Sequence, residues 1–330
     1  MTPAGVQVHS GSSHISTLQL RRPVSALGQI HREVFTADVT LVTSSGVGHG
    51  AARCMTLQEA LAVKTNLARL TEQVTGAVIL DLSDWRHRWQ ELVSFEPPGP
   101  GLLALSALDI AMWSLLSEER ARPALPCYQT GLYDCVDDQE ASDQARLSLK
   151  RGFAGLKMPV GLHPAEDICR VASVRDAIGG HFLAVDGFTS LAWDHANELG
   201  ATGHDLRVAW LEDPFPYDQP HLTRRLAKRV SVPIAGGEQC WTLEGLKSYL
   251  RLANIQIPIL DIGRLGGISA LATFFETDAK TYDIVACHVD PLAVSLAAHL
   301  RQGNLWLEFL DWWDAFEDVS RILSPRLEDE

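Results

Sequence analysis

FLAVD (182–186), VAWLE (208–212) and PIAGGE (233–238) are three short apolar runs, and each closes on an acid: Asp186, Glu212 and Glu238. The acids fall 26 residues apart in both intervals. A strand, a return helix and two connections take roughly 25–30 residues. The equal spacing therefore predicts three successive βα units, each placing a carboxylate at the same end of its strand. Converging carboxylates repel one another unless a cation sits between them. Hard oxygen donors suit a magnesium-type ion.

Outward from this stretch the same pattern continues. Strand-like runs are LPCYQT (125–130), AGLKM (154–158), IPILDI (257–262), IVACH (284–288) and LWLEFL (305–310), which with the first three make eight. Helical stretches such as AEDICRVASVRDAI, HLTRRLAKRV and LEGLKSYLRL lie between them. Eight βα-type repeats predict a TIM-type parallel barrel of the α/β class over residues 123–310, with its site at the C-terminal strand ends. A doubly wound open sheet is the alternative, but no strand-order switch point can be located. Residues 1–122 read as an α+β capping domain. Within it, 1–16 are Ser/Gly/His-rich and expected to be loose. STLQL and 34–42 read as strands followed by the SSGVGHG turn. Stretches 57–75, 81–94 and 104–120 read as helices, the last amphipathic. Residues 311–330, with Trp312 and Trp313, are expected to pack back on the cap.

Composition narrows the function classes. The 330 residues are 46% hydrophobic and 21% charged, with a net charge of −13. That balance describes a globular chain and argues against nucleic acid or anionic membrane as partner. No apolar run reaches the ~18–20 residues of a membrane span. The N-terminal residues lack the charged start and apolar core of a signal peptide. The six cysteines contain no CxxC pair, which predicts reduced thiols and a cytoplasmic location.

The ends of the other runs add chemistry: Lys157, Asp261, His288 and Glu308, with Tyr128 and Gln129 in the first run. Together with DIAMWSLL (109–116), GFAGLKMPVG (152–161), AVDG (184–187), WLEDP (210–214), DIGRLGGIS (261–269), CHVDP (287–291) and LEF (307–309), these residues resemble the mandelate racemase branch of the enolase superfamily over nearly the whole chain. The resemblance implies a modified (β/α)7β barrel under an α+β cap, homo-oligomers, and one Mg²⁺ per active site. It also implies removal of the proton α to the carboxylate of a small-molecule acid, with an enediolate stabilised by the metal. By that resemblance Asp186, Glu212 and Glu238 are the metal ligands, Asp261 and His288 a dyad with His288 as base, Lys157 the first Lys of a KxK motif, and Glu308 an acid that meets the substrate carboxylate. The residue types suit such chemistry. A divalent ion and Lys157 would stabilise developing negative charge in a dry site. Histidine titrates near neutrality, and Asp261 would fix its tautomer and raise its basicity. Acidic neighbours would keep Glu308 protonated as a donor.

The sequence departs from the family where KxK reads Lys157-Met158-Pro159. Proline carries no transferable proton, and racemisation commonly uses a base on each face. This favours one-base elimination, the dehydration of a hydroxy or sugar acid by a lyase. A racemase, epimerase or cycloisomerase, or a catalytically silent homologue, are the alternatives. Phe188, where relatives often carry Asn, would narrow or depolarise the pocket. Asp213 and Asp290 read as supporting residues. Gly263, Gly266 and Gly267 read as turn geometry rather than a phosphate cradle.

Overall fold

The computed structural model describes residues 5–26, 29–117, 125–133, 135, 137–288, 300 and 303–310. The expected docking of 311–330, including Trp312 and Trp313, and the position of Asp290 lie outside the described residues.

The N-terminal unit is a four-stranded antiparallel sheet backed by helices. Its strands are β1 (Val6–Ala26), β2 (Gln29–Thr43), β3 (Gly46–Cys54) and β4 (Val78–Ile79), in the order β3-β2-β1-β4. Helices α1 (Leu57–Val74), α2 (Leu82–Val93) and α3 (Pro100–Leu116) follow. The expectation of a loose 1–16 is corrected here: β1 begins at Val6 and pairs with β2 from Val8 opposite Thr43 onward. A strand takes its hydrogen bonds from its neighbour, so polar composition alone does not unseat it. Among the described residues of that stretch, Val8 alone is a fully buried anchor.

Helix α3 also differs from expectation. It is buried on every side from Gly101 to Met112, so it is a core helix rather than an amphipathic one. Close approach to the sheet makes this possible: a Cβ on Gly50 of β3 would lie 1.9 Å from the Ala107 carbonyl oxygen.

The second unit is a closed barrel of eight parallel strands: β5 (Cys127–Thr130), β6 (Gly155–Pro159), β7 (Phe182–Asp186), β8 (Leu211–Glu212), β9 (Ile234–Gly236), β10 (Ile257–Asp261), β11 (Val285–His288) and β12 (Leu305–Leu310). Outside it run α4 (Asp138–Lys150), α5 (Pro164–Ile178), α6 (Trp193–Asp205), α7 (Pro220–Ala227), α8 (Leu243–Ala253) and α9 (Ile268–Thr277). The eight expected runs all appear as strands, and the TIM-type class with its separate cap holds.

Alternation along each strand divides the barrel interior into layers. Tyr128, Phe182, Trp210 and Trp306 pack together low in the barrel, with ring centroids 4.8–5.5 Å apart. Two residues beyond Tyr128, Trp210 and Trp306 stand Thr130, Glu212 and Glu308, and four beyond Phe182 stands Asp186. The aromatic layer is a closed floor beneath a polar one.

Helices α2 and α3 fasten the cap to the barrel. Asp109 of α3 is fully buried and accepts from Trp85 Nε1 (2.7 Å), Ser269 N (2.8 Å) and Ser269 Oγ (2.6 Å). It thus caps the N-terminus of α9, where free N–H groups and the helix dipole favour an anion. Gly267 has φ +125° and is barred from a side chain, since its Cβ would meet the Asp109 carboxylate at 2.3 Å. The glycine cluster receives an anion after all, a carboxylate of this chain. Trp89 Nε1 donates to the Gly266 carbonyl (2.7 Å) and Trp113 Nε1 to Ser269 Oγ (2.9 Å).

Candidate active site

Strand register sets the site. Thr130 lies opposite Lys157, Pro159 opposite Asp186, Asp186 opposite Glu212, Asp261 opposite His288, and His288 opposite Glu308. Glu238 follows β9 by two residues. All seven residues expected at the site stand at the C-terminal mouth.

Lys157 is the centre of the arrangement. It is 1% exposed, and its Nζ lies 2.5 Å from Glu212 Oε1, 3.0 Å from Asp186 Oδ2 and 3.0 Å from Glu308 Oε1. Burial alone would lower its ammonium, but Glu212, Glu308 and Asp186 outweigh that and hold it well above its ordinary value. Glu212 also accepts from Trp210 Nε1 (2.9 Å), its neighbour on the same face of the chain. Asp186 Oδ1 accepts from the backbone of Phe188 (2.9 Å).

Glu308 accepts from Thr130 Oγ1 at 2.6 Å. Burial pushes its carboxyl up, but Lys157, His288 and the hydrogen bonds from Thr130 and Lys157 bring it down to about 2. The expected protonated Glu308 is therefore corrected: with Lys157 at 3.0 Å it is ionised. Thr130 was missed because Tyr128 and Gln129, rather than the last residue of LPCYQT (125–130), stood as the chemistry-bearing end of that run. The strand runs to Thr130, and alternation from Tyr128 would have marked it.

His288 faces two groups. Its Nδ1 is 3.7 Å from Asp261 Oδ2, longer than a hydrogen bond. Asp261 Oδ1 is engaged elsewhere, accepting from Gly263 N (2.8 Å) and Arg264 N (3.2 Å). The acid thus serves the following turn and the histidine at once. On its other side His288 Nε2 receives Arg53 Nη2, from β3 of the cap, at 2.9 Å. Burial first and Arg53 second lower the imidazole to about 4, against the expectation of a raised basicity. Arg53 was not found from the sequence, since its partner lies 235 positions away in the other unit.

Asp186, Glu212 and Glu238 are oxygen donors on three adjacent strands, a set that could hold a hard divalent ion. Burial pushes all three carboxyls up, Glu238 to about 7, with Lys157 only partly offsetting it. Glu308 Oε2 is buried with no hydrogen-bond partner among the described residues. The cluster is short of positive charge, which is what such an ion supplies. The side chains drawn closest are nevertheless Glu238, His288 and Glu308, whose ligand atoms lie within 4.8 Å of one another. Lys157 stands between the two groups, holding Asp186, Glu212 and Glu308 alike.

Pro159 shares one face of β6 with Lys157 and lies opposite Asp186 in the strand register. Phe188 and Tyr133, which follow the flanking strands β7 and β5, bring their rings to 6.0 Å. The expected narrowing by Phe188 is thus an aromatic pair beside the end of β6. Phe188 has φ +46° and Thr189 φ +59°, strained backbone for non-glycine residues.

Comparison with known proteins gives the following. Residues 140–325 match the family model described as enolase C-terminal domain-like. The chain is 27% identical over 201 residues to an arabinonate dehydratase of Saccharolobus solfataricus, covering 57% of this chain and 54% of that protein. It is 29% identical over 196 residues to a 3,6-anhydro-alpha-L-galactonate cycloisomerase of Streptomyces coelicolor, covering 56% and 54%. The matched part thus spans about half the length of these relatives. The fold is shared with an L-talarate/galactarate dehydratase from Salmonella typhimurium LT2, solved with Mg and L-lyxarohydroxamate. There the TM-score is 0.82 at 21% identity, over 94% of this chain and 84% of that one. It is shared as well with a racemase from Streptomyces coelicolor A3(2) with bound magnesium, at TM-score 0.80 and 21% identity over 92% and 89%.

Proposed function

The chain belongs to the enolase C-terminal domain-like family, of the mandelate racemase/muconate lactonizing enzyme type, and from that premise we propose that it is a magnesium-dependent lyase that dehydrates a small hydroxy or sugar acid. The observation that carries the reading is the one-sidedness of the mouth. His288 ends β11 with its imidazole held low, and Pro159, beside Asp186 three strands away on β6, carries no group that could act as a second base. The activities named for the dehydratase relatives support the same reading.

Asp186, Glu212 and Glu238 would hold the metal. When bound, magnesium supplies positive charge where the substrate carboxylate gains negative charge. Lys157 adds a second positive charge on the same side. Held by three acids, it stays charged and donates rather than accepts. His288 Nε2 takes the α-proton. The electron pair of the broken C–H bond forms the Cα–Cβ double bond as the C–O bond to the β-hydroxyl breaks. His288 returns its proton to the departing oxygen, giving water, and the enol left behind becomes an α-keto acid. Asp261 steadies the imidazole, and the closed aromatic floor keeps bulk water from below. Glu308, ionised and tied to Thr130 and Lys157, orients the ammonium rather than donating to substrate. Racemisation by a second base on the opposite face is disfavoured by Pro159.

The test is incubation of the magnesium-loaded protein with a panel of acid sugars, with α-keto acid as readout. We expect product from at least one. Replacement of His288 by Asn should lower the rate by about 10²–10⁴-fold while magnesium still binds. No product from any acid, with metal demonstrably bound, would overturn the dehydratase reading.

A further inference from the structure

Arg53 reaches the barrel mouth from the other structural unit. Its Nη2 donates to His288 Nε2 at 2.9 Å. A guanidinium has donors only, so Nε2 is the acceptor and the ring proton is on Nδ1, the side facing Asp261 Oδ2. The nitrogen lone pair that would take the α-proton therefore lies under an arginine N–H. Beside the pair is a cavity of about 50 Å³, bounded by Leu103, Ile110 and Ile262, with Ser106 adding a hydroxyl. Arg53 is the cation among its lining residues. That volume takes a compact group of a few atoms.

The floor restricts where a substrate can extend. Tyr128 and Trp210 are fully buried and close the barrel beneath the charged layer. An acid whose first carboxylate lies on the Lys157 side, and whose α-hydrogen points at Nε2, cannot extend down through this floor, and the cavity beside Nε2 is lined by Arg53 of β3. We propose that Arg53 recognises a second carboxylate, so that the substrate is a hydroxydicarboxylate rather than a monoacid. The inference rests on the reading of His288 as the base of an α-proton abstraction. A guanidinium and a carboxylate match as two parallel hydrogen bonds. That pairing draws Nη2 away from Nε2 and frees the lone pair, which ties base exposure to the presence of the second acid group. A terminal hydroxymethyl group offers no such exchange and leaves Arg53 on the histidine.

Two matched pairs of probes test this: L-tartrate against L-threonate, and galactarate against galactonate. The members of each pair differ only in a terminal carboxylate against CH₂OH. Binding is measured by calorimetry in excess magnesium for wild type, Arg53→Met and Arg53→Lys, with magnesium affinity measured alongside. In wild type the diacid of at least one pair should bind at least about tenfold more tightly. In Arg53→Met the two members should come within about threefold, with the diacid losing the more and magnesium affinity retained, while Arg53→Lys keeps part of the preference. No preference in wild type, equal weakening of both members, or binding of none of the four would overturn the role of Arg53. Product formation in the same samples separates the two readings. A diacid preference lost in Arg53→Met but without α-keto acid counts against dehydration alone. Monoacids turned over as readily as diacids count against Arg53 alone.

Discussion

Lys157 spreads one ammonium over three carboxylates in a space that excludes water. Removing one partner of such a buried network leaves uncompensated charge, which costs about 3–5 kcal/mol. Lys157→Met should therefore melt markedly lower than wild type without metal, and magnesium should raise its melting temperature more than that of wild type. Thermal scans with EDTA and with magnesium check both. A second expectation concerns Glu238, which is held at about 7. A metal ligand must be ionised, so if Glu238 holds the ion as proposed, binding expels the proton that Glu238 keeps below that pH. Magnesium affinity should fall by up to about tenfold per unit as pH drops below 7 and level off above 8, as measured by titration calorimetry at several pH values. The acids themselves were legible, because alternation and equal spacing fix which residue ends each strand. Their protonation states were not. Glu308 was read as protonated from its acidic neighbours, and only the contact with Lys157, on a strand far away in sequence, reverses that. The Arg53–His288 contact is invisible for the same reason: no spacing rule links the sheet of one unit to the barrel of the other.

At the scale of elements, short polar segments were the least legible. A strand such as β1 owes its existence to pairing with β2 more than to its own side chains. Helix α3 was mistaken for amphipathic because its outer face lies on the cap sheet and its inner face on α9. The three donors to Asp109 make a sharp test of this packing. Asp109→Asn keeps the shape but turns an N–H₂ toward donors. It should destabilise by about 1–3 kcal/mol, whereas a surface acid changed to Asn, such as Asp194, should move stability by less than about 0.5 kcal/mol. Urea titration of the two variants distinguishes them. If Asp109→Asn is neutral, the carboxylate is not what holds α9 in place.

For the molecule as a whole, the eight-strand barrel followed from the repeat of strand and helix, and the cap from a change in that rhythm near Pro123. How tightly the two are joined could not be read, since the joint is made of tryptophan N–H groups and a carboxylate that are polar in composition but buried in place. Trp85, Trp89 and Trp113 all take part in that joint, while Trp210 and Trp306 sit inside the barrel. Cap and barrel should therefore unfold in one transition. Fluorescence and far-ultraviolet circular dichroism should give coincident melting curves, and separated curves would show the two units to be independent.

The capping of α9 by Asp109 also bears on how molecules enter and leave. Helix α9 begins seven residues after Asp261, so the cap grips the turn that follows the acid beside His288. Swinging the cap aside as a lid would strip a buried carboxylate of its donors and disturb Asp261 in the same motion. The joint is fixed, not hinged, and the cap does not serve as a lid for substrate and product.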